Sequence, residues 1–158
     1  MLDTDPWDSL DIFGEFETNS AEKTLELGAR LGASLTPGAA VLLFGQLGAG
    51  KTVFTKGLAS AFGISIEDVR SPSFTLMNVY DGESRVIHLD LYRVESLEQA
   101  EQAGLLDVFD VGAIVVVEWP ERIADVCGTM PHIEVVIDVL GPGSRVIRIE
   151  HGKKGTRN

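Results

Sequence analysis

Cysteine, cationic side chains and long apolar runs are all scarce in this 158-residue chain. With one cysteine, Cys127, no internal disulfide can form, and a reducing, cytoplasmic setting is expected. No apolar run approaches the roughly 18 residues that a membrane span needs, so no membrane association is expected. The N-terminal stretch MLDTDPWDSLDIFGEFETNS lacks the cationic start of a secretory signal, and none is expected there. Thirteen Lys and Arg stand against 24 Asp and Glu, a formal charge of −11. That balance is a poor basis for holding nucleic acid by counterion release alone. Repeats at 20–50-residue spacing and low-complexity tracts are missing as well. So is the Asn-Lys-x-Asp string with which GTPase switches read guanine.

What the chain does have is apolar content, 44% of its residues. That is too much for a disordered chain and enough for one domain with a sizeable core. The charge is uneven. Residues 1–26 carry eight acids against Lys23, whereas 145–158 carry Arg145, Arg148, Lys153, Lys154 and Arg157 against Glu150. We expect an acidic flexible leader over 1–17, a globular domain over 18–150, and a basic flexible tail over 151–158. The tail is either a solvated end or a contact for a partner or an RNA.

Along the domain, Asn19 can cap a helix with Glu22 three residues on, and Leu25, Ala29 and Leu35 fall near one face of it. Pro37-Gly38 ends that element. Ala40–Phe44 is a continuous apolar run, the pattern of a strand buried on both faces. Phe54, Leu58, Ala61 and Phe62 then recur at helical spacing up to Gly63. Phe74–Tyr80 and Arg85–Leu91 are predicted as a hairpin around Asp81–Ser84. Ser96 with Gln99 starts a helix that Gly104 ends, and Ala113–Val117 is a second buried strand. Ile133–Val139 and Arg145–Glu150 flank a turn at 141–144. The order predicts a mixed α/β sheet, with buried parallel core strands and antiparallel additions.

Between the first apolar strand and the helix after it stands Gly45-Gln46-Leu47-Gly48-Ala49-Gly50-Lys51-Thr52, which fits G-x-x-x-x-G-K-[ST]. A phosphate chain must be approached by several backbone N–H groups at once, and side chains at the glycine positions would block that approach. The following helix aims its N-terminus at the anion, Lys51 can bridge the outer phosphates, and the Thr52 hydroxyl can bind magnesium. The strand before and the helix after give the motif the context it needs. Val53 follows in the same turn.

A magnesium–nucleotide site usually needs an acid at the end of a neighbouring apolar strand. Asp90 and Glu118 both qualify. Either can hold the metal or orient the attacking water. His88 shares a strand face with Asp90, as a general base or as a packed structural ring. Arg93 and Arg122 can neutralise phosphate charge or pair with Asp90 and Glu118. Trp119 can stack on a base or a partner, or lie buried against the sheet. Ser71-Pro-Ser-Phe-Thr75 can sense a terminal phosphate, as switch segments do, or form a turn with local hydroxyl–backbone bonds.

Taken together, GQLGAGKT, SPSFTL, HLDLYR and VVEWPER resemble, in order and from about Thr18 to Ile149, the TsaE family. These are small bacterial ATPases needed for the threonylcarbamoyl-adenosine modification of tRNA. The resemblance implies a P-loop NTPase-like, three-layer fold and ATP with Mg2+ as ligands. It implies TsaD-like and TsaB-like proteins as partners, TsaD transferring the carbamoyl group, with tRNA itself met indirectly or weakly. It places the metal on Thr52 and Glu118, sets Asp90 near the phosphates, and makes Ser71–Thr75 switch-like. Lys51, Asp90 and Glu118 are thus the expected catalytic residues. The loop residues 45–53, Ser71 and Thr75 are the expected nucleotide contacts. Ser20, Ala21 and Gly143 align loosely with further contacts. The chain departs from the family in a longer acidic leader and in Asp107-Val108-Phe109, where an Asp-Tyr-Phe-like segment is common.

The alternative activity is a small-molecule kinase built on the same loop. Such kinases usually carry an arginine-bearing lid, and Glu95–Phe109 contains neither Arg nor Lys.

Overall fold

The computed structural model describes residues 12–152. Most of the expected leader, 1–11, and the tail from 153 onward lie outside the described residues. Among the described residues, seven strands and four α-helices alternate with short 3-10 turns: β1 Gly14–Thr18, α1 Ala21–Ser34, β2 Ala40–Phe44, α2 Lys51–Ser60, β3 Met77–Asp81, β4 Arg85–Asp90, α3 Leu97–Gln102, β5 Ile114–Glu118, α4 Ala124–Cys127, β6 Ile133–Gly141 and β7 Ser144–His151. The strands form one sheet in the order β1-β7-β6-β2-β5-β4-β3. The four central strands β6, β2, β5 and β4 run parallel, whereas β3, β7 and β1 add antiparallel at the edges. This is the mixed α/β, three-layer P-loop architecture expected.

The apolar runs sit where their composition requires. All of β5 and the first four residues of β2 are buried, because helices cover both faces of the sheet. On one face, Leu27 and Leu31 of α1 and Phe54 and Leu58 of α2 pack on Val41, Leu43, Val116 and Val135. On the other, Ala100, Leu105, Val108, Ile123 and Cys127 pack on Leu42, Leu89, Val115 and Val117. Among the described residues no helix is long and apolar enough to cross a membrane.

Four expectations are corrected. The cap of α1 is Ser20, not Asn19: its backbone is extended and its hydroxyl accepts from the Lys23 amide, three residues on. The buried stripe of α1 is Thr24, Leu27, Gly28, Leu31 and Gly32, while Leu25 and Ala29 are half-buried. The contact with α2 is made through backbone at the glycines, which an apolar periodicity does not register. β3 starts at Met77, not Phe74, because residues 73–75 form a turn in which the Leu76 amide donates to the Pro72 carbonyl at 2.7 Å. Finally, Gly14–Thr18, assigned above mostly to the leader, is an edge strand in antiparallel register with β7. Its exposed Glu15 and Glu17 alternate with half-buried Phe16 and buried Thr18.

Candidate functional site

β2, β5 and β4 are neighbours, and their C-terminal ends open on one rim of the sheet. That rim is where open α/β sheets place ligands. Leu43 is in register with Glu118, and Glu118 with Asp90. The glycine loop that leaves β2 therefore begins beside both acids. Gly48 and Gly50 hold φ of 80° and 106°, the left-handed region that a side chain would strain. Gly50 is also the N-cap of α2. The first-turn amides of α2 have no carbonyl of their own helix to pair with, and the helix dipole adds positive potential there. A ten-residue helix entered through two left-handed glycines is a cradle suited to an anion.

Lys51 stands inside this cradle. Its ammonium donates to the Gly45 carbonyl at 2.6 Å and lies 3.8 Å from the centre of the Trp119 ring. Burial holds its pKa below the ordinary lysine value, against the opposing pull of Glu118, Asp90 and Glu121. Trp119 itself, its ring tilted against that of Tyr92, is half-buried with φ 59°. A non-glycine residue in that conformation directly after Glu118 marks stored backbone strain at the rim.

Asp90 and Glu118 are both 4% exposed. Asp90 accepts from the Tyr92 amide through Oδ1 at 2.9 Å, and from the Ser71 and Ser73 hydroxyls through Oδ2 at 3.3 and 3.1 Å. The Ser71–Leu76 segment is thus tied through two hydroxyls to one of the two acids. Thr75 is not brought to the acids; its hydroxyl donates to the Asn78 side chain. Glu118 Oε2 is 2.5 Å from His88 Nε2. The His88 ring is fully buried, with Tyr80 on its other nitrogen, and is a packed ring. Neither arginine pairs with the acids: Arg93 lies over the Phe74 ring, and Arg122 donates to the Tyr92 carbonyl.

Could this set hold magnesium? Among the described residues no cluster of three or more His, Cys, Asp or Glu is arranged as a self-sufficient metal site. Two carboxylates and the Thr52 hydroxyl are hard oxygen donors, which suits a cation that takes its remaining ligands from phosphate and water. The residues fit a metal shared with a nucleotide, not a structural ion.

Beside the loop, a cavity of about 140 Å³ is lined by Ser20, Ala21, Thr24, Ala49, Gly50, Val53, Gly143 and Arg145. It gathers the loosely aligned Ser20, Ala21 and Gly143 with Ala49 and Gly50 of the motif and Val53 just after it. Sequence reasoning missed Thr24 and Arg145. Composition groups Arg145 with the basic C-terminal residues and the pattern places it at the start of a strand, but its guanidinium donates to the Ala49 carbonyl at 2.8 Å and the Gly48 carbonyl at 3.4 Å. It pins the outer side of the loop from β7. Nothing local announces that contact, since it joins residues nearly a hundred positions apart.

The model of the family "Threonylcarbamoyl adenosine biosynthesis protein TsaE" matches residues 18–147. The tRNA threonylcarbamoyladenosine biosynthesis protein TsaE of Treponema pallidum is 40% identical over 142 residues, covering 84% of this chain and 96% of that protein. Its counterpart from Nostoc is 40% identical over 134 residues, covering 81% of this chain and 80% of that one. The crystal structure of Bacillus subtilis YdiB is similar with a TM-score of 0.70 at 29% identity, covering 88% of this chain and 84% of that chain.

Proposed function

Since the chain belongs to the TsaE family of tRNA threonylcarbamoyladenosine biosynthesis, we propose that it is a P-loop ATPase that binds and hydrolyses Mg·ATP to support TsaB-like and TsaD-like partners in the cytoplasm. The observation that carries this is the placement of the left-handed glycine loop, Lys51 and two buried acids on one rim of the sheet. Backbone amides of 45–53 cradle the phosphates, and Lys51 exchanges the Gly45 carbonyl for a phosphate oxygen. The nucleoside end takes the cavity between α1, the loop and the β6–β7 turn. Thr52 and Glu118 would hold the metal; when bound, magnesium supplies charge neutralisation at the outer phosphates. Asp90 orients the attacking water, and Ser71 and Ser73 leave or keep its carboxylate as the segment senses the terminal phosphate. With a formal charge of −11, and with Arg145 engaged on the loop, the chain meets tRNA through its partners rather than by itself.

A kinase would need a cationic lid and an acceptor pocket. Glu95–Phe109 carries no cation and buries Ala100, Leu105 and Val108 in the core, which supports hydrolysis instead. Phosphate release with partner proteins present tests the assignment. Thr52→Ala and Glu118→Ala are expected to lose magnesium-dependent turnover, and wild-type rates in both would overturn the metal assignment.

A further inference from the structure

Two buried side chains behind the acids take no part in cradling phosphate: His88, 0% exposed, and Tyr80, 8% exposed. They join Glu118 to the start of the Ser71–Leu76 segment. An ionised Glu118 can only accept, so His88 Nε2 donates to it across 2.5 Å. In the tautomer with its proton on Nε2, the ring has Nδ1 as an acceptor, 3.2 Å from the Tyr80 hydroxyl. That hydroxyl lies 3.0 Å from the Arg70 carbonyl and 3.2 Å from the Arg70 amide. Arg70 directly precedes Ser71, and the Ser71 and Ser73 hydroxyls return to Asp90, the register partner of Glu118. The contacts form a chain that starts at one acid and ends at the other.

The phenol has one proton and two acceptors, His88 Nδ1 and the Arg70 carbonyl. The Arg70 carbonyl has a second donor in the Asn78 amide, at 3.1 Å. The phenol can therefore turn to the ring without stranding Arg70. A buried ring whose two nitrogens are both bonded has its orientation fixed, and so fixes the carboxylate that it faces.

We propose that His88 and Tyr80 are positioning residues: His88 holds one oxygen of Glu118 so that the other faces the cation, and Tyr80 ties that setting to Arg70 at the root of the switch segment. This rests on the proposed metal role of Glu118. Occupying the acid site and ordering residues 71–76 are then one linked event.

The test uses the full chain and ATP titrated at increasing Mg2+, in wild type, His88→Leu, His88→Gln and Tyr80→Phe. Binding is read by calorimetry, and ordering by amide hydrogen exchange over residues 70–76. Partners behind a metal ligand typically govern affinity by about 10–100-fold. His88→Leu should raise the Mg2+ needed for half-maximal tightening by about that factor. His88→Gln, whose side-chain amide can donate in place of Nε2, should recover most of the loss. Tyr80→Phe keeps the packed ring. It should retain metal-free ATP affinity yet lose the protection that Mg·ATP gives residues 70–76 in wild type. A folded Tyr80→Phe with wild-type Mg2+ dependence and wild-type protection overturns the relay and leaves the ATPase reading standing. Wild type that binds ATP without any Mg2+ dependence overturns the metal assignment and the relay with it.

Discussion

Lys51 and Cys127 show how burial sets chemistry one side chain at a time. The Lys51 ammonium is desolvated, and its pKa lies below 10.5. Between that lowered value and 10.5 the unfolded chain binds a proton that the folded one has released, so this group makes the unliganded protein more stable as pH rises through the window. Phosphate affinity moves the other way, because the neutral amine no longer attracts the anion. Lys51→Met should therefore leave thermal stability equal or higher without nucleotide. Its ATP affinity should fall about 10–100-fold, as expected for a charge-assisted contact of roughly 1.5–3 kcal/mol. A destabilised variant with unchanged affinity would show that the lysine serves the fold instead. The Cys127 thiol is pushed up to about 12, first by burial and then by Glu134. It should resist a thiol reagent such as DTNB in the native protein and react on unfolding. Its contribution to stability is intact below about pH 9 and declines from there toward 12, since only the unfolded thiol ionises in that range. Rapid native-state labelling at neutral pH would contradict this.

Between elements, the seam of α1 and α2 carries the phosphate loop's helix. A Cβ on Gly28 would lie 2.2 Å from the Phe54 carbonyl oxygen, and one on Gly57 2.0 Å from that of Leu25. Both obstacles are backbone, so the helices must separate to admit a methyl group. Gly28→Ala or Gly57→Ala should cost about 1–3 kcal/mol, as overpacking does. Denaturant unfolding measures it, and a neutral change would mean that the helices part freely. The same seam explains an error in reading the sequence. The side chains of Leu25 and Ala29 are the expected inner face, but the seam is closed by backbone against Gly28 and Gly32 of α1 and Gly57 of α2, which carry no hydrophobic signal. β1 escaped for a related reason: with Glu15 and Glu17 on its outer face, its composition is that of a solvated leader. β2 and β5 were legible because strands covered on both sides are apolar throughout. Loop, Lys51 and strand-end acids were legible because phosphate chemistry fixes residue types at fixed spacing. Arg145, Thr24 and the His88–Tyr80 pair were not, since each acts across the fold.

At the scale of the whole molecule, β1 closes the sheet beyond β7 and brings Thr18 to within 2.8 Å of Thr24, hydroxyl to hydroxyl. Thr24 lines the cavity beside the loop. A chain beginning at Asn19 should unfold at lower temperature than one beginning at Ile12, and should bind ATP more weakly, because the wall of the cavity loses its support. Equal melting temperatures and affinities would make β1 dispensable. The parallel strands gather phosphate loop and acids on one rim, and the antiparallel additions bring the sensing segment from β3 and the cavity wall from β7. In the proposed function, ATP binding, metal and switch would all depend on this one sheet.

The central claim is that the loop over residues 45–52 grips the phosphates of Mg·ATP. Equilibrium dialysis of labelled ATP with Mg2+, against wild type and Lys51→Ala in parallel, tests it most directly. Saturable one-to-one retention by wild type, much weakened in Lys51→Ala and displaced poorly by GTP, is the predicted result. No retention, or equal retention by both proteins, would contradict it.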